Sequence, residues 1–202
     1  MSDEAITDAL PDREPGTGER RLIVLCGLPG VGKSAVAEAL GRALPAPVLS
    51  VDPVEAALWR AGVGRDQPTG VAACSVVMAL TAELLALGQR VVIDAVNHAP
   101  AARAAWPEIA LTAGTGHRFV EVRCPDEVLH RRRLEARHRR LEGYPKPSWA
   151  SVQARRAAFQ DWPLDRLVLD STRPVRDLLL QVLEDLDPVA PGHLDTVTTS
   201  TP

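Results

Sequence analysis

Leu22-Ile-Val-Leu-Cys-Gly-Leu-Pro-Gly-Val-Gly-Lys-Ser34 decides how the rest of the chain is read. Leu22 to Cys26 is continuously apolar, as in a strand covered on both faces. Glycines at 27, 30 and 32 follow, and Ser34 to Leu44 continues as an Ala-rich helix. Glycine admits backbone conformations closed to other residues, so successive N–H groups can turn inward onto one anion, and the positive end of the helix adds to them. Lys33 supplies a compact charge for terminal phosphates, and the Ser34 hydroxyl is suited to ligate Mg²⁺. The spacing G-x-x-x-x-G-K-[ST] arises by chance in about one in a thousand chains of this composition. Gly27, Leu28, Pro29, Gly30, Val31, Gly32, Lys33, Ser34 and Ala35 are therefore expected to surround the phosphates of a nucleotide.

Four more apolar runs repeat the strand pattern: Val48–Val51, Arg90–Asp94, Arg118–Val122 and Leu167–Asp170, each followed by a turn and a helix-like stretch. Apolar strands alternating with helices predict an α/β fold, a three-layer arrangement with a five-stranded parallel sheet and helices on both faces. Two helical stretches, 53–61 and 71–88, lie between the second and third strands, one more than a crossover needs. The second is so rich in Ala and Leu that it is expected to be buried in the domain, Glu83 included. At 18 residues, largely alanine, it falls short of a membrane span.

Of the 202 residues 46% are hydrophobic and 24% charged, which suits one domain with a core. Residues 1–20, with six acids among Pro, Gly, Thr and Ser, are expected to form a disordered leader, and 187–202 a flexible tail, leaving the domain at 21–186. The formal charge of −3 excludes a global cationic field for nucleic acid or anionic membrane. Only Lys33 and Lys146 are lysine. Cys26, Cys74 and Cys124 are widely spaced and show no metal-binding pattern, as expected of reduced core thiols in a cytoplasmic protein.

Four segments taken in order, Gly27–Ser34, Leu49-Ser-Val-Asp52, Val91-Val-Ile-Asp-Ala-Val-Asn97 and Arg131-Arg-Arg-Leu-Glu-Ala-Arg137, make the chain similar to P-loop kinases. It resembles the AAA_33-type group of predicted kinases, which includes zeta-toxin-like, polynucleotide-kinase-like and antibiotic-phosphotransferase-like enzymes. The resemblance runs from about Leu22 to Leu186 and implies a P-loop NTPase fold with ATP and Mg²⁺ as cofactors.

Asp52 ends the second strand, where open parallel sheets bind ligands, and in the family an aspartate here faces the acceptor hydroxyl. Asp52-Pro-Val-Glu55 is equally a helix start, with Asp as N-cap, Pro at N1 and Glu at N3. Asp94, after Val91-Val-Ile93, fits a carboxylate that holds Mg²⁺ with Ser34 or touches substrate; a strand-terminal cap fits too. Asn97 and His98 are candidates to touch the acceptor, and Asn97 is also an ordinary cap. Arg60, beside Trp59 on the helix after Asp52, is expected on the acceptor side, whereas Trp106, Trp149 and Trp162 read as packing residues.

His130-Arg-Arg-Arg-Leu-Glu-Ala-Arg-His-Arg-Arg140 sets six arginines against one glutamate. Arg133 and Arg137 share a helix face, and guanidinium forks suit phosphate oxygens. By resemblance this is an Arg-rich lid, about 126–147, with Arg133 and Arg137 on the phosphates; a solvated face is the plainer reading. The resemblance also puts adenine near Ser171–Pro174, with Arg173 on its ring. Without a guanine-reading N-K-x-D, ATP is the expected donor. The expected activity is phosphoryl transfer from ATP to a hydroxyl of a small molecule (metabolite, nucleoside or antibiotic-like). Alternatives are a polynucleotide 5′-hydroxyl kinase, nucleic acid being the less favoured partner, or a regulatory module that binds and hydrolyses ATP. The sequence carries no sign of membrane association or of oligomeric state.

Overall fold

The structure is a computed structural model that describes residues 19–136, 147–156, 159, 162 and 165–186. Most of the expected leader, the tail and the lid beyond residue 136, Arg137 included, lie outside the described residues.

Five strands, β1 (Arg20–Cys26), β2 (Val48–Ser50), β3 (Val91–Asp94), β4 (Gly116–Arg123) and β5 (Leu167–Asp170), form one parallel sheet in the order β2-β3-β1-β4-β5. Between them run α1 (Lys33–Ala43), α2 (Val51–Arg60), α3 (Thr69–Ala86), α4 (Pro100–Thr112), α5 (Glu127–Glu135) and α6 (Trp149–Arg156), and α7 (Val175–Leu186) follows β5. All five strands stand where the apolar runs place them, with ends shifted by one to two residues.

Side chains alternate along β1, so Ile23 and Leu25 pack under α1 and α7, and Leu22, Val24 and Cys26 pack under α3 and α4. Both faces are covered, which is why the strand lacks polar alternation. Val36, Ala37, Leu40, Leu178 and Val182 cover one face. Val77, Leu85, Trp106, Ala110, Phe119, Phe159 and Trp162 fill the other, and the last two come from the segment after α6. Cys26 and Cys124 are buried and Cys74 half-buried, all as free thiols.

Two expectations change. α2 begins at Val51, not at 53, because Ser50 ends β2 in extended geometry and is itself the N-cap (φ −114°, ψ 133°). Asp52 is thus the second helical residue and Pro53 the third, still within the turn whose N–H groups lack intrahelical partners. The turn is thereby free to accept a proline while Asp52 keeps its carboxylate near the helix's positive end.

α3 is also less enclosed than its composition suggests. Thr69, Ala73, Val77, Thr81 and Leu85, spaced by four, form the buried face, whereas Val71, Val76, Leu80 and Glu83 are exposed. Alanine and leucine on every side made the helix look surrounded, but α2, α4 and the sheet reach only one side of it. By length and composition alone it is apolar enough to cross a membrane.

Candidate active site

The glycine loop is bent as its sequence requires. Gly27, Gly30 and Gly32 have φ of 135°, 87° and 102°, in the region that disfavours any side chain. A Cβ on Gly27 would strike the Val122 carbonyl of the adjacent strand, and one on Gly30 would lie 3.1 Å from Leu134 Cβ. Gly32 is the N-cap of α1, so Lys33 is its first residue and the helix's positive end opens into the loop. Lys33 is buried, 6% exposed, and its Nζ donates to the Leu28 carbonyl across the loop at 3.1 Å.

β3 lies beside β1, pairing Leu25 with Asp94, and β2 adds Ser50 on the other side of Asp94. Ser34 Oγ donates to Asp94 Oδ2 at 2.6 Å, and Ser50 Oγ lies 3.4 Å from the same oxygen. The sequence left open whether Asp94 caps a turn or stands at a metal position; its bond is to the phosphate-loop serine. A hydroxyl beside a carboxylate fits Mg²⁺, which takes one or two protein oxygens and completes its shell with phosphates and water. No group of three His, Cys, Asp or Glu side chains fit for a metal occurs among the described residues, and such a Mg²⁺ site needs none.

Asp52 stands half-buried two residues beyond Ser50, at the same carboxyl end of the sheet as Asp94. Glu55, expected at N3 of a capping box, instead accepts from Thr69 Oγ1 at 2.9 Å, and Trp59 Nε1 donates to that hydroxyl at 3.0 Å. This ties α2 to α3. Arg65, rather than the neighbouring Arg60, lies over the Trp59 ring, 4.6 Å from its centroid. Arg60 ends α2 and is exposed.

Asn97 differs from its expected role. It has φ of 53°, is 5% exposed, and spends both ends of its carboxamide on the fold: Nδ2 donates to the Leu25 carbonyl and Oδ1 accepts from Trp106 Nε1, each at 3.1 Å. It locks the loop after β3 against β1, and the α4 cap is Ala99 rather than Asn97. Arg103 supports the same loop by donating to the carbonyls of Asn97 (3.3 Å) and His98 (2.9 Å), with its guanidinium 4.7 Å from the Trp162 ring centroid. Burial, then Arg155 and Arg103, hold the His98 pKa below its ordinary value.

Of the arginine run, α5 carries Arg131, Arg132 and Arg133. Arg131 pairs with Glu135 in solvent. Arg133 turns inward and donates to both the carbonyl (3.0 Å) and the hydroxyl (3.1 Å) of Ser171, in the turn after β5. That turn lies beside the phosphate loop, since Ser171 Cβ is 3.9 Å from a Cβ built on Gly32. Arg173, in the same turn, is half-exposed and lies 3.4 Å from Asp177.

Two features carried no assigned role in the sequence. His130, 1% exposed, has Nε2 2.8 Å from the Pro29 carbonyl, and its ring meets Trp149 edge-on at 5.0 Å. A carbonyl only accepts, so Nε2 carries the proton. Burial is the largest influence on this ring and pushes its pKa down, with the Pro29 bond opposing and nearby arginines assisting. With Leu134 against Gly30, His130 fastens α5 onto the phosphate loop; their spacing of four within an arginine run was the available signal. The second feature is a cavity of about 520 Å³ between the glycine loop and the end of β4, with Leu28, Glu121, Arg123, Arg156 and Phe159 in its walls.

A parallel sheet of this order, with a glycine loop between β1 and α1 and a carboxylate on the adjoining β3, defines a P-loop NTPase fold of the kind found in P-loop kinases. The chain belongs to the AAA_33 family (AAA domain), which matches residues 22–161. Among curated proteins none matches the chain. Solved structures share the fold: one from Chloroflexus aurantiacus has a TM-score of 0.67 at 20% identity, covering 85% of this chain and 98% of that one. A gluconokinase from Sinorhizobium meliloti gives 0.57 at 22% identity, covering 83% of this chain and 93% of that one. The Mycobacterium tuberculosis APS kinase CysC, in complex with AMPPNP and APS, gives 0.58 at 22% identity, with 83% and 98% covered.

Proposed function

We propose that this protein is an ATP- and Mg²⁺-dependent phosphotransferase whose acceptor is a hydroxyl on a small molecule. The observation that carries the reading is the 2.6 Å bond from Ser34 to Asp94. It joins the phosphate loop to a carboxylate that pairs across the sheet with Ser50, the N-cap of the helix that bears Asp52. Nucleotide kinship adds support, since the APS kinase neighbour holds an ATP analogue in the same fold.

In this reading the N–H groups of the glycine loop bind the β- and γ-phosphates, and Lys33 exchanges the Leu28 carbonyl for a terminal phosphate oxygen. Ser34 and Asp94 would hold Mg²⁺, which supplies charge neutralisation across those phosphates. Asp52 orients the acceptor hydroxyl and takes its proton as the oxygen bonds to the γ-phosphorus and the bond to the β-γ bridging oxygen breaks, releasing ADP. Arg133, and Arg137 by resemblance, offset charge on the transferred group; Arg173 borders the adenine, and Arg60 lies toward the acceptor. A small acceptor is favoured over a 5′-hydroxyl polynucleotide because the α2–α3 side sets Glu55, Asp66 and Glu83 against Arg60 and Arg65, leaving no cationic groove for a strand.

Transfer of label from γ-labelled ATP to a panel of hydroxylated metabolites, nucleosides and 5′-hydroxyl oligonucleotides tests the proposal. A labelled small-molecule product, with chemistry lost far more than ATP binding in Asp52→Asn, is expected. ADP formation that no acceptor accelerates would identify a nucleotide-hydrolysing module instead. Near-normal turnover of Asp52→Asn would remove Asp52 from the mechanism.

A further inference from the structure

β1 is flanked on both sides at its carboxyl end. The β3 flank carries Ser34 and Asp94, and the β4 flank carries the 520 Å³ cavity, which no step above uses. That volume is in the range of small-ligand pockets, and the cavity touches Gly27, Leu28 and Val31, so its occupant would abut the phosphate loop.

The charge of its walls is unbalanced. Glu121 is 3% exposed and is claimed from two sides: Arg123 binds both its oxygens (2.7 and 2.9 Å) and Arg166 binds Oε2 at 2.6 Å. In the lining itself Arg123 and Arg156 stand against one carboxylate, Glu121. Arg156, the last residue of α6, is half-buried, lines the same cavity and has no ion-pair partner among the described residues. His130, in the same wall, is kept toward its neutral form first by burial and then, against the Pro29 bond, by Arg156, Lys33 and Arg133, so it contributes little charge of its own. Leu28, Val31 and Phe159 make the remaining wall apolar.

We infer that this cavity receives an anionic oxygen group, carboxylate or phosphate, carried by the hydroxyl acceptor, with Arg156 as its main partner and Arg123 beside it; the assignment to the acceptor rests on the kinase reading above. Leu28 joins the two halves, its carbonyl accepting from Lys33 while the residue lines the cavity, so an acceptor anchored at Arg156 reaches back along the loop toward the γ-phosphate. The acceptor class is thereby narrowed to hydroxy acids and phosphorylated polyols or nucleosides.

The test begins with binding, on the full chain saturated with AMPPNP and Mg²⁺ so that the loop and its γ-position are filled. Inorganic phosphate and gluconate serve as anionic probes and glucose as the neutral partner. At least one anion is expected to bind, glucose much more weakly. Arg156→Ala should weaken the anion on the order of tenfold or more, Arg156→Lys should recover part of it, and Arg42→Ala, on the outer side of α1, should leave it unchanged. An unaltered unfolding midpoint for Arg156→Ala separates this loss from misfolding. Failure of both anions to bind the AMPPNP-loaded protein, or an Arg156→Ala variant that binds them like the parent, overturns the inference. The ratio of phosphate to gluconate affinity distinguishes the two sources of the anion. Labelled ATP is then offered with acceptor pairs such as gluconate and glucose, or glycerol phosphate and glycerol. Transfer to the neutral member at equal kcat/KM overturns the inference while the kinase reading survives. Arg156-dependent anion binding with no transfer to any acceptor overturns the kinase reading and leaves the anion site in place.

Discussion

Replacing His130 by Ala removes the ring that fastens α5 to the phosphate loop, and the structure sets the size of the effect. The Pro29 carbonyl loses its donor at 2.8 Å, which for a buried acceptor costs about 1–3 kcal/mol. The edge contact with Trp149 adds about 0.5–1.5 kcal/mol. With the void left by a ring that is 1% exposed, the total should reach about 3–5 kcal/mol, as for other large buried rings. That is a large part of the ~5–15 kcal/mol that holds a domain together. It should be read from urea unfolding followed by tryptophan fluorescence. Nucleotide affinity, titrated with a fluorescent ATP analogue, should fall on the order of tenfold if freeing Pro29 costs the loop about 1.4 kcal/mol of pre-organisation. His130→Gln keeps an N–H donor and should recover part of both losses. Trp149→Leu removes only the ring contact and should cost about 1 kcal/mol without changing affinity. If His130→Ala lost less than about 1 kcal/mol, or lost stability with unaltered nucleotide affinity, the loop would not depend on this clamp.

Lys33→Ala should abolish transfer, because the only cation at the first turn of α1 is lost; residual transfer within tenfold of the parent would place the phosphate contact elsewhere. Asp94→Asn should raise the Mg²⁺ concentration for half-maximal rate on the order of tenfold while nucleotide binding without Mg²⁺ stays within twofold, measured by Mg²⁺ titration of the labelled-ATP assay. Stability should decline as the solution is acidified below about 6.5, the ordinary histidine value. Burial depresses His98, His117 and His130 alike, so the folded state favours their neutral forms. Their contribution is complete above the unfolded value and is lost as pH falls through the lowered folded ones. Unfolding midpoints at pH 7.5 and 5.5 check this, and His130→Gln should flatten the slope.

The parallel sheet was legible because burial on both faces writes itself as unbroken apolar runs, and the glycine loop because φ values above +80° leave few residue choices. Ser34 and Asp94 were legible as a pair only conditionally: the sequence names both, but their meeting depends on β3 lying next to β1, a fact of strand order. The start of α2 was misread by two residues because Ser50 and Asp52 are both good caps, and only the extended backbone at Ser50 decides between them. The latch made by Asn97 was not legible for a related reason. A carboxamide at a strand end suits a ligand, a cap or a latch equally, and the choice fell to Trp106 and the Leu25 carbonyl, which lie 9 and 72 residues away in the chain.

The β4 flank shows where sequence reading stops for a physical reason. Glu121, Arg123, Arg156, Phe159 and Arg166 come from β4, from α6 and from the segment between α6 and β5, and no two of those pieces have a spacing that marks them as partners. Within β4, Glu121 and Arg123 even look like an ordinary alternating pair on a solvated face. What gives them meaning is that Phe119, Phe159 and Trp162 close over that face and force Glu121 to 3% exposure, where a carboxylate stays charged only if guanidinium groups meet it. Glu121 is satisfied by Arg123 and Arg166, without Arg156. A fold that keeps Arg156 half-buried there, beside a loop already committed to phosphate, has a place for an anion that none of the described residues supplies.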